Sequence, residues 1–143
     1  MARLRKDETA LWSAWKQAAE TVRARVADEV TAEAGLSDPD FEVLTRVVED
    51  GGGAMRQNRL AESMGYHRSR LSHHLSRMER RGLVTRRQAG GGVEVVATDP
   101  GREAVTRARP VHAAAVRRYL LGPLTAADRE ALIAMLDRLN ARR

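Results

Sequence analysis

The segment from Arg56 to Arg87 combines a high positive charge with an apolar pattern, and this combination restricts the fold more than any other part of the chain. The segment holds nine arginines and two carboxylates, Glu62 and Glu79, which gives it a net charge of +7, whereas the whole 143-residue chain carries +6. A concentrated positive patch on short helices is typical of a nucleic-acid-binding surface. The alternative is a solvated surface that happens to be rich in Arg.

Residues 67–81 predict a helix with two unlike faces. At 100° per residue, Leu71, Leu75 and Met78 fall together with His74 beside them, and this side should face a core. The opposite face has small hydroxyl groups and cations and no acid: Ser69, Ser72, His73, Ser76 and Arg80, flanked by Arg70 and Arg77. A face that serves only solubility would mix acids with bases, so this one favours contact with phosphates and base edges in a major groove.

Short elements on either side of this helix complete a recognisable unit. Residues 57–64 predict a short helix, Gly65 turns the chain, and two β-prone runs at residues 83–87 and 93–97 surround a glycine-rich tip. A short helix, a turn and a basic helix form a helix-turn-helix. The hairpin that follows makes it the winged version.

The first helix, predicted over residues 7–33, carries a narrow apolar stripe formed by Leu11, Trp15, Ala18, Val22, Val26 and Val30. A stripe on so long a helix favours packing on a partner helix, with docking inside the monomer as the alternative. The last helix has a similar apolar side, formed by Leu132, Met135, Leu136 and Leu139.

Capping signals and breakers predict the remaining boundaries. Gly35 ends the first helix, and capping boxes at Ser37 and at Thr125 begin two others. A helix from about residue 98 to 121 contains Pro110, which predicts a kink or break near Arg109. The expected fold is mainly α with a small β-hairpin wing, in the order α-α-α-α-β-β-α-α.

Composition excludes several classes of site. The chain has no cysteine, which rules out disulfides, thiolate zinc sites and thiol-based redox sensing. Its four histidines (residues 67, 73, 74 and 112) are too scattered for a metal signature, and no nucleophile–base or paired-acid pattern is visible. Tyr66 is the one aromatic residue of the basic segment, too few for single-strand or RNA stacking. We therefore expect a protein without enzymatic activity, metal or cofactor; a protein–protein interaction module on the same scaffold is the alternative.

The start of the chain has charge without a following apolar run, and nowhere do eighteen apolar residues follow one another. These two features predict neither a signal peptide nor a membrane span. We expect a cytoplasmic protein.

The run GYHRSRLSHHLSRMERRGLV over residues 65–84, followed by Arg86 and Arg87 and by ATDPGR over residues 97–102, resembles the MarR family of transcriptional regulators. The stretch MERRGLV is its most specific part, and the helix order extends the resemblance over nearly the whole chain. The resemblance implies a homodimeric repressor on an inverted-repeat operator. Residues 1–36 and 100–143 would form the dimer, and residues 37–99 would form the DNA-binding lobe.

The resemblance also implies residue roles. Ser69, Ser72 and His73 would approach base edges, Arg77 would hold a phosphate, and Arg70 could do either. The family usually has Arg in place of His73, and imidazole is shorter and donates fewer hydrogen bonds. Family wings carry an acid and an Arg near the tip, whereas this tip is uncharged, so minor-groove reading by the tip is not expected. The full set of expected DNA contacts is Arg68, Ser69, Arg70, Ser72, His73, Ser76, Arg77, Arg86 and Arg87.

Two further sets of residues follow from the resemblance. Family members are released from DNA by small anionic or phenolic ligands, and the residues that match the ligand crevice are Trp12, Trp15, Asp40, Phe41 and His67. Core packing of Trp15 and Phe41, and a helix-start charge at Asp40, are the favoured alternatives at those positions. The expected dimer contacts are Leu11, Val22, Leu132, Met135, Leu136 and Leu139.

Overall fold

The computed structural model describes residues 2–141. The outermost residues of the two predicted dimerisation segments, Met1, Arg142 and Arg143, lie outside the described residues. The six α-helices of the described part are α1 Lys6–Ala34, α2 Asp38–Thr45, α3 Gln57–Met64, α4 Arg68–Arg80, α5 Asp99–Val116 and α6 Ala126–Asn140. Its strands are β1 Ala54–Arg56, β2 Val84–Ala89 and β3 Gly92–Ala97. The π-helical turns Arg46–Asp50 and Arg117–Leu121 follow α2 and α5. The predicted fold class, mainly helical with a small wing, is confirmed.

The chain divides into two compact units. One unit, called here the terminal unit, comprises Met1–Asp28 and His112–Arg143. The other, called here the winged-helix unit, comprises Glu29–Val111 and contains the sheet, α2, α3 and α4.

An aliphatic core holds the winged-helix unit together. The predicted inner side of α4 is buried there, with Leu71, Leu75 and Met78 fully excluded from solvent and His74 nearly so. Burying a side chain of this size stabilises the fold by about 1.5–3 kcal/mol. The roll of α4 about its axis is therefore fixed, and its polar side must face away from the core.

The three strands form an antiparallel sheet in the order β1-β3-β2. The hairpin pairs Arg86 with Val95 and Ala89 with Gly92, and β1 pairs Arg56 with Glu94 on the other edge of β3. The sequence-based order α-α-α-α-β-β-α-α omitted β1 and is wrong at that point. Three residues between a glycine run and a helix are too few to show alternation, and this strand forms only by pairing with β3.

Local signals set most helix ends as predicted. Ser37 and Asp40 form a reciprocal capping box, and so do Thr125 and Asp128. Gly35 has a φ of +70°, the left-handed conformation that ends α1. Of the kink or break expected near Arg109, the break is wrong, because α5 continues through Pro110 to Val116, and the kink stays a prediction. Proline removes only one backbone hydrogen bond. The helix is held by packing before and after the proline, where Ala108 and Ala115 are buried.

Large apolar side chains are exposed on the helices of the terminal unit. Leu11 is 73% exposed, Trp12 55%, Trp15 44% and Leu139 62%. Ile133 and Met135 are exposed as well. Among residues 2–141, no helix is long and apolar enough to cross a membrane.

Candidate nucleic-acid interface

The turn between α3 and α4 presents the amino-terminal half of α4 to solvent. Gly65 ends α3 in the left-handed conformation, with φ +67°, and its N–H donates to carbonyls of the last turn of α3. We call the exposed side of α4 the basic face. Its members are all exposed: Arg68, Ser69, Arg70, His73, Arg77 and Arg80. No carboxylate belongs to this set, so the predicted separation of an apolar side from a basic side is present in the structure.

Two hydroxyls of the expected DNA-contact set lie at the edge of the basic face and contact the wing. Ser72 and Ser76 are half-buried, and Ser76 Oγ donates to the carbonyl of Ser72 at 3.0 Å. Arg86 of β2 donates to Ser72 Oγ at 3.2 Å and to Ser76 Oγ at 2.7 Å. Both hydroxyls are thus already acceptors of a wing guanidinium.

Glu79 completes this contact between the wing and α4. Its Oε1 accepts from Nε of Arg86 at 2.7 Å and lies 2.6 Å from the second terminal nitrogen of the same guanidinium. A planar fork that meets one carboxylate and two hydroxyls fixes the angle between strand and helix. Sequence reasoning missed this role, because Arg86 and α4 come together only through the pairing of β2 with β3. The DNA contact expected of Arg86 stays a prediction.

The wing carries one further ion pair. Arg87 is exposed, and its Nε donates to Glu94 Oε1 across the hairpin at 2.8 Å. The two residues are Cα partners in the register of β2 and β3. An exposed pair of this kind contributes about 0–1 kcal/mol to stability and leaves the guanidinium free to exchange partners.

Aromatic and imidazole groups hold two arginines of the basic face. The Arg70 guanidinium stacks on the Tyr66 ring, 4.0 Å from its centroid. Arg77 lies 3.2 Å from Nδ1 of His74. Because a guanidinium only donates, Nδ1 is the acceptor, and the proton of a neutral His74 must sit on Nε2. These contacts restrict long side chains that would otherwise sample many rotamers.

A buried carboxylate anchors the opposite end of this chain of contacts. Asp40 is only 2% exposed. Its Oδ1 lies 3.0 Å from His74 Nε2, and its Oδ2 accepts from Arg81 at 2.6 Å. Burial alone would raise the pKa of Asp40, but hydrogen bonds from His74, Arg81 and the Ser37 backbone hold that pKa well below its usual range. Asp40 is therefore ionised and links α2 to α4.

The residues expected to bind a ligand lie in different surroundings. Asp40 is saturated by the contacts above, and Phe41 is buried in the core with the Arg109 guanidinium 5.5 Å from its ring centroid. These surroundings match the alternatives to ligand binding, which were a helix-start charge for Asp40 and core packing for Phe41. Trp12 and Trp15 are exposed in the terminal unit. Trp15 is therefore not packed in a core of the single chain, contrary to the alternative expected for it. His67 is exposed and lines an open cavity of about 630 Å³ beside the turn, together with Tyr66, Arg68 and Ser69.

The described part of the chain contains no cluster of metal-binding side chains. Within residues 2–141, no three His, Asp or Glu side chains are grouped so that they could hold a metal ion.

The comparisons with known proteins match this geometry. A family model described as "Domain of unknown function (DUF7343)" matches residues 36–96. AbsC, a MarR family transcriptional regulator from Streptomyces coelicolor, is 28% identical, with 99% of this chain and 100% of that chain covered and a TM-score of 0.85. Sco3205, a MarR family transcriptional regulator from the same organism solved in complex with DNA, is 25% identical, with 98% and 89% covered and a TM-score of 0.87. No curated protein sequence matches the chain.

A more distant structure shares the fold. The organohalide-sensing regulator RdhR-CbdbA1625, in its 2,4-dichlorophenol-bound form, is 18% identical, with 96% of this chain and 81% of that chain covered and a TM-score of 0.82. The two regulators above confirm the predicted resemblance. The fold is that of the MarR-family winged-helix regulators.

Proposed function

We propose that this MarR-family winged-helix protein is a repressor of transcription that binds double-stranded DNA as a homodimer on an inverted-repeat operator. The observation that carries the proposal is the basic face of α4, which is exposed, free of carboxylates and backed by a buried apolar side. A helix of this kind fits a major groove and meets phosphates along its rim.

The side chains divide into two roles by reach and chemistry. Ser69, Ser72 and His73 approach base edges, since hydroxyl and imidazole groups can donate and accept there. Arg77 holds a phosphate with a guanidinium already positioned by His74. The rest of the expected set, four guanidinium groups and one hydroxyl, contributes the surrounding contacts: Arg68, Arg70, Arg86, Arg87 and Ser76.

Dimerisation would cover the apolar side chains that a single chain leaves in water. Leu11, Met135 and Leu139 are exposed on α1 and α6, and Val22, Leu132 and Leu136 are half-buried on the same two helices. Contiguous apolar patches on the surface of a soluble protein mark association sites, and we propose that these side chains belong to one. A two-fold dimer places two α4 helices about 34 Å apart, one turn of DNA, which is why the operator should be an inverted repeat.

A small anionic or phenolic ligand would release the DNA. Support comes from the exposed indoles of Trp12 and Trp15, from the accessible imidazole of His67, and from the phenol bound by the distant regulator RdhR-CbdbA1625. Asp40 and Phe41 belong to the same expected set, but both are buried in the winged-helix unit, in the surroundings that their structural alternatives describe.

Genomic selection tests the proposal. Sheared genomic duplexes retained by the purified protein are sequenced, with an Arg77→Ala/His73→Ala double variant as the matched control. Enrichment of a short set of fragments that share an inverted repeat, with half-sites one DNA turn apart, is expected only for the native chain. Retention of all fragments alike, or of none, would instead favour the protein-interaction module. Metabolites screened for release of the selected fragment then identify the ligand class.

A further inference from the structure

The turn of the wing has no charge of its own, but Arg56 of β1 brings a cation to it. The tip of the hairpin reads Gln-Ala-Gly-Gly-Gly over residues 88–92, and Gly90 and Gly91 join the two paired strands. The exposed Arg56 donates to the carbonyl of Gly90 at 3.2 Å, although the two residues are 34 positions apart in the chain. The third strand, which sequence patterns did not reveal, is what carries this arginine to the wing.

The glycines of the turn make room for the guanidinium. A Cβ atom at Gly90 would lie 2.6 Å from one terminal nitrogen of Arg56, and a Cβ at Gly92 would lie 2.5 Å from the other. Gly90 also has a φ of +54°, which explains a glycine there without Arg56. Gly92 belongs to β3 and has no such φ, so close approach of Arg56 is the feature that its missing side chain permits.

The charge of Arg56 is not neutralised by the residue opposite. Its Cα partner on β3 is Glu94, and Glu94 pairs with Arg87 from β2 instead. A guanidinium has five N–H donors, and the carbonyl of Gly90 takes one of them. The other N–H donors of Arg56 and its positive charge therefore lie at the wing turn.

We propose that Arg56 is the DNA contact of the wing, where its guanidinium, seated against the glycine turn, binds acceptor oxygens of the duplex. The inference rests on the proposed function. Phosphate oxygens and the acceptor-rich floor of a narrow minor groove share the chemistry that an arginine recognises. The uncharged wing tip thus gains a cation from another strand.

Two kinds of variant test the contact, one that removes the charge and one that only displaces it. Arg56→Ala and Arg56→Gln remove it, whereas Gly92→Ala keeps the net charge and occupies the space of the guanidinium. Arg107→Ala, on the exposed surface of α5, is the control with the same loss of charge. Affinity is measured by fluorescence anisotropy on the inverted-repeat duplex recovered by genomic selection, at fixed salt.

The expected losses are about tenfold for both Arg56 variants and about threefold for Gly92→Ala, with Arg107→Ala within about twofold of the native chain. A phosphate contact would lower the slope of log affinity against log salt by about one in Arg56→Ala. A minor-groove contact would instead abolish any preference for A·T-rich over G·C-rich flanks. Either result supports the inference.

Two outcomes overturn it and are distinguishable. If both Arg56 variants bind within about twofold of the native chain while Arg77→Ala is clearly weakened, the wing contact is absent and the proposed function stands. If the native chain shows no salt-dependent duplex binding, the proposed function fails and the wing contact fails with it.

Discussion

Arg81, just past the carboxyl end of α4, donates to Asp40 in the first turn of α2, with 2.6 Å between its terminal nitrogen and Oδ2. The same arginine donates to the carbonyl of Gly35 at 2.8 Å. One side chain thereby fixes the last turn of the proposed DNA-reading helix against the start of α2. The carboxylate that receives it is buried and also faces His74.

Asp40→Asn should lower the free energy of unfolding by about 3 kcal/mol at neutral pH, because it leaves buried donors without their charged partner. The pKa of Asp40 is depressed in the folded state, so its stabilising effect is present above the ordinary carboxyl pKa near 4 and is lost as the pH falls below it. Urea unfolding of the native chain from pH 7 down to about pH 3 should show this loss, and Asp40→Asn should show less of it. A native chain whose stability is flat across that range would contradict the account of Asp40.

Arg86→Ala should destabilise the winged-helix unit by about 1–3 kcal/mol, since Glu79, Ser72 and Ser76 would all lose their donor. Arg87→Ala is the matched control, because it removes the same charge from the next residue and breaks only an exposed pair worth about 0–1 kcal/mol. Equal losses in urea unfolding would mean that Arg86 does not fasten the wing to α4.

The two roles assigned on the basic face should separate in binding assays. Arg77→Ala should weaken binding to all duplexes alike, by about tenfold, because a phosphate contact carries no sequence information. His73→Ala should mainly relax sequence preference, with a loss of about 1–3 kcal/mol in discrimination at one base pair. Affinities for the operator and for single-base variants of it distinguish the two. Losses that are equally uniform in both variants would show that the division of roles is wrong.

Leu11→Glu should shift the protein toward the monomer, because it replaces an exposed apolar side chain of the proposed dimer contact with a carboxylate. Ser13→Glu adds the same charge about 200° around the same helix and should leave association unchanged. Sedimentation velocity over a range of concentrations measures the effect. A native chain that stays monomeric at every concentration, or two variants that associate equally, would contradict the proposed dimer.

The sequence predicted those parts of the fold that depend on local patterns. The roll of α4 follows from Leu71, Leu75 and Met78 at helical spacing, and the capping box at Ser37 follows from residues three apart. These signals act within one element, so a linear reading detects them. The family resemblance added the expectation of a winged regulator, which the structural likeness confirms.

The parts that escaped prediction depend on contacts between elements. Strand β1 exists through its pairing with β3, and Arg86 reaches α4 only after the hairpin has folded back. Arg56 lies near the wing turn for the same reason, and Asp40 meets Arg81 across 41 positions of sequence. Charge and spacing along the chain give no measure of such distances.

The most direct measurement of the central claim is the salt dependence of duplex affinity for the native chain. If α4 and the wing of each protomer meet phosphates, with on the order of eight contacts in total, a plot of log affinity against log salt concentration should fall with a slope near −7. Duplex affinity that stays constant from about 50 to about 200 mM salt would contradict DNA binding through the basic face.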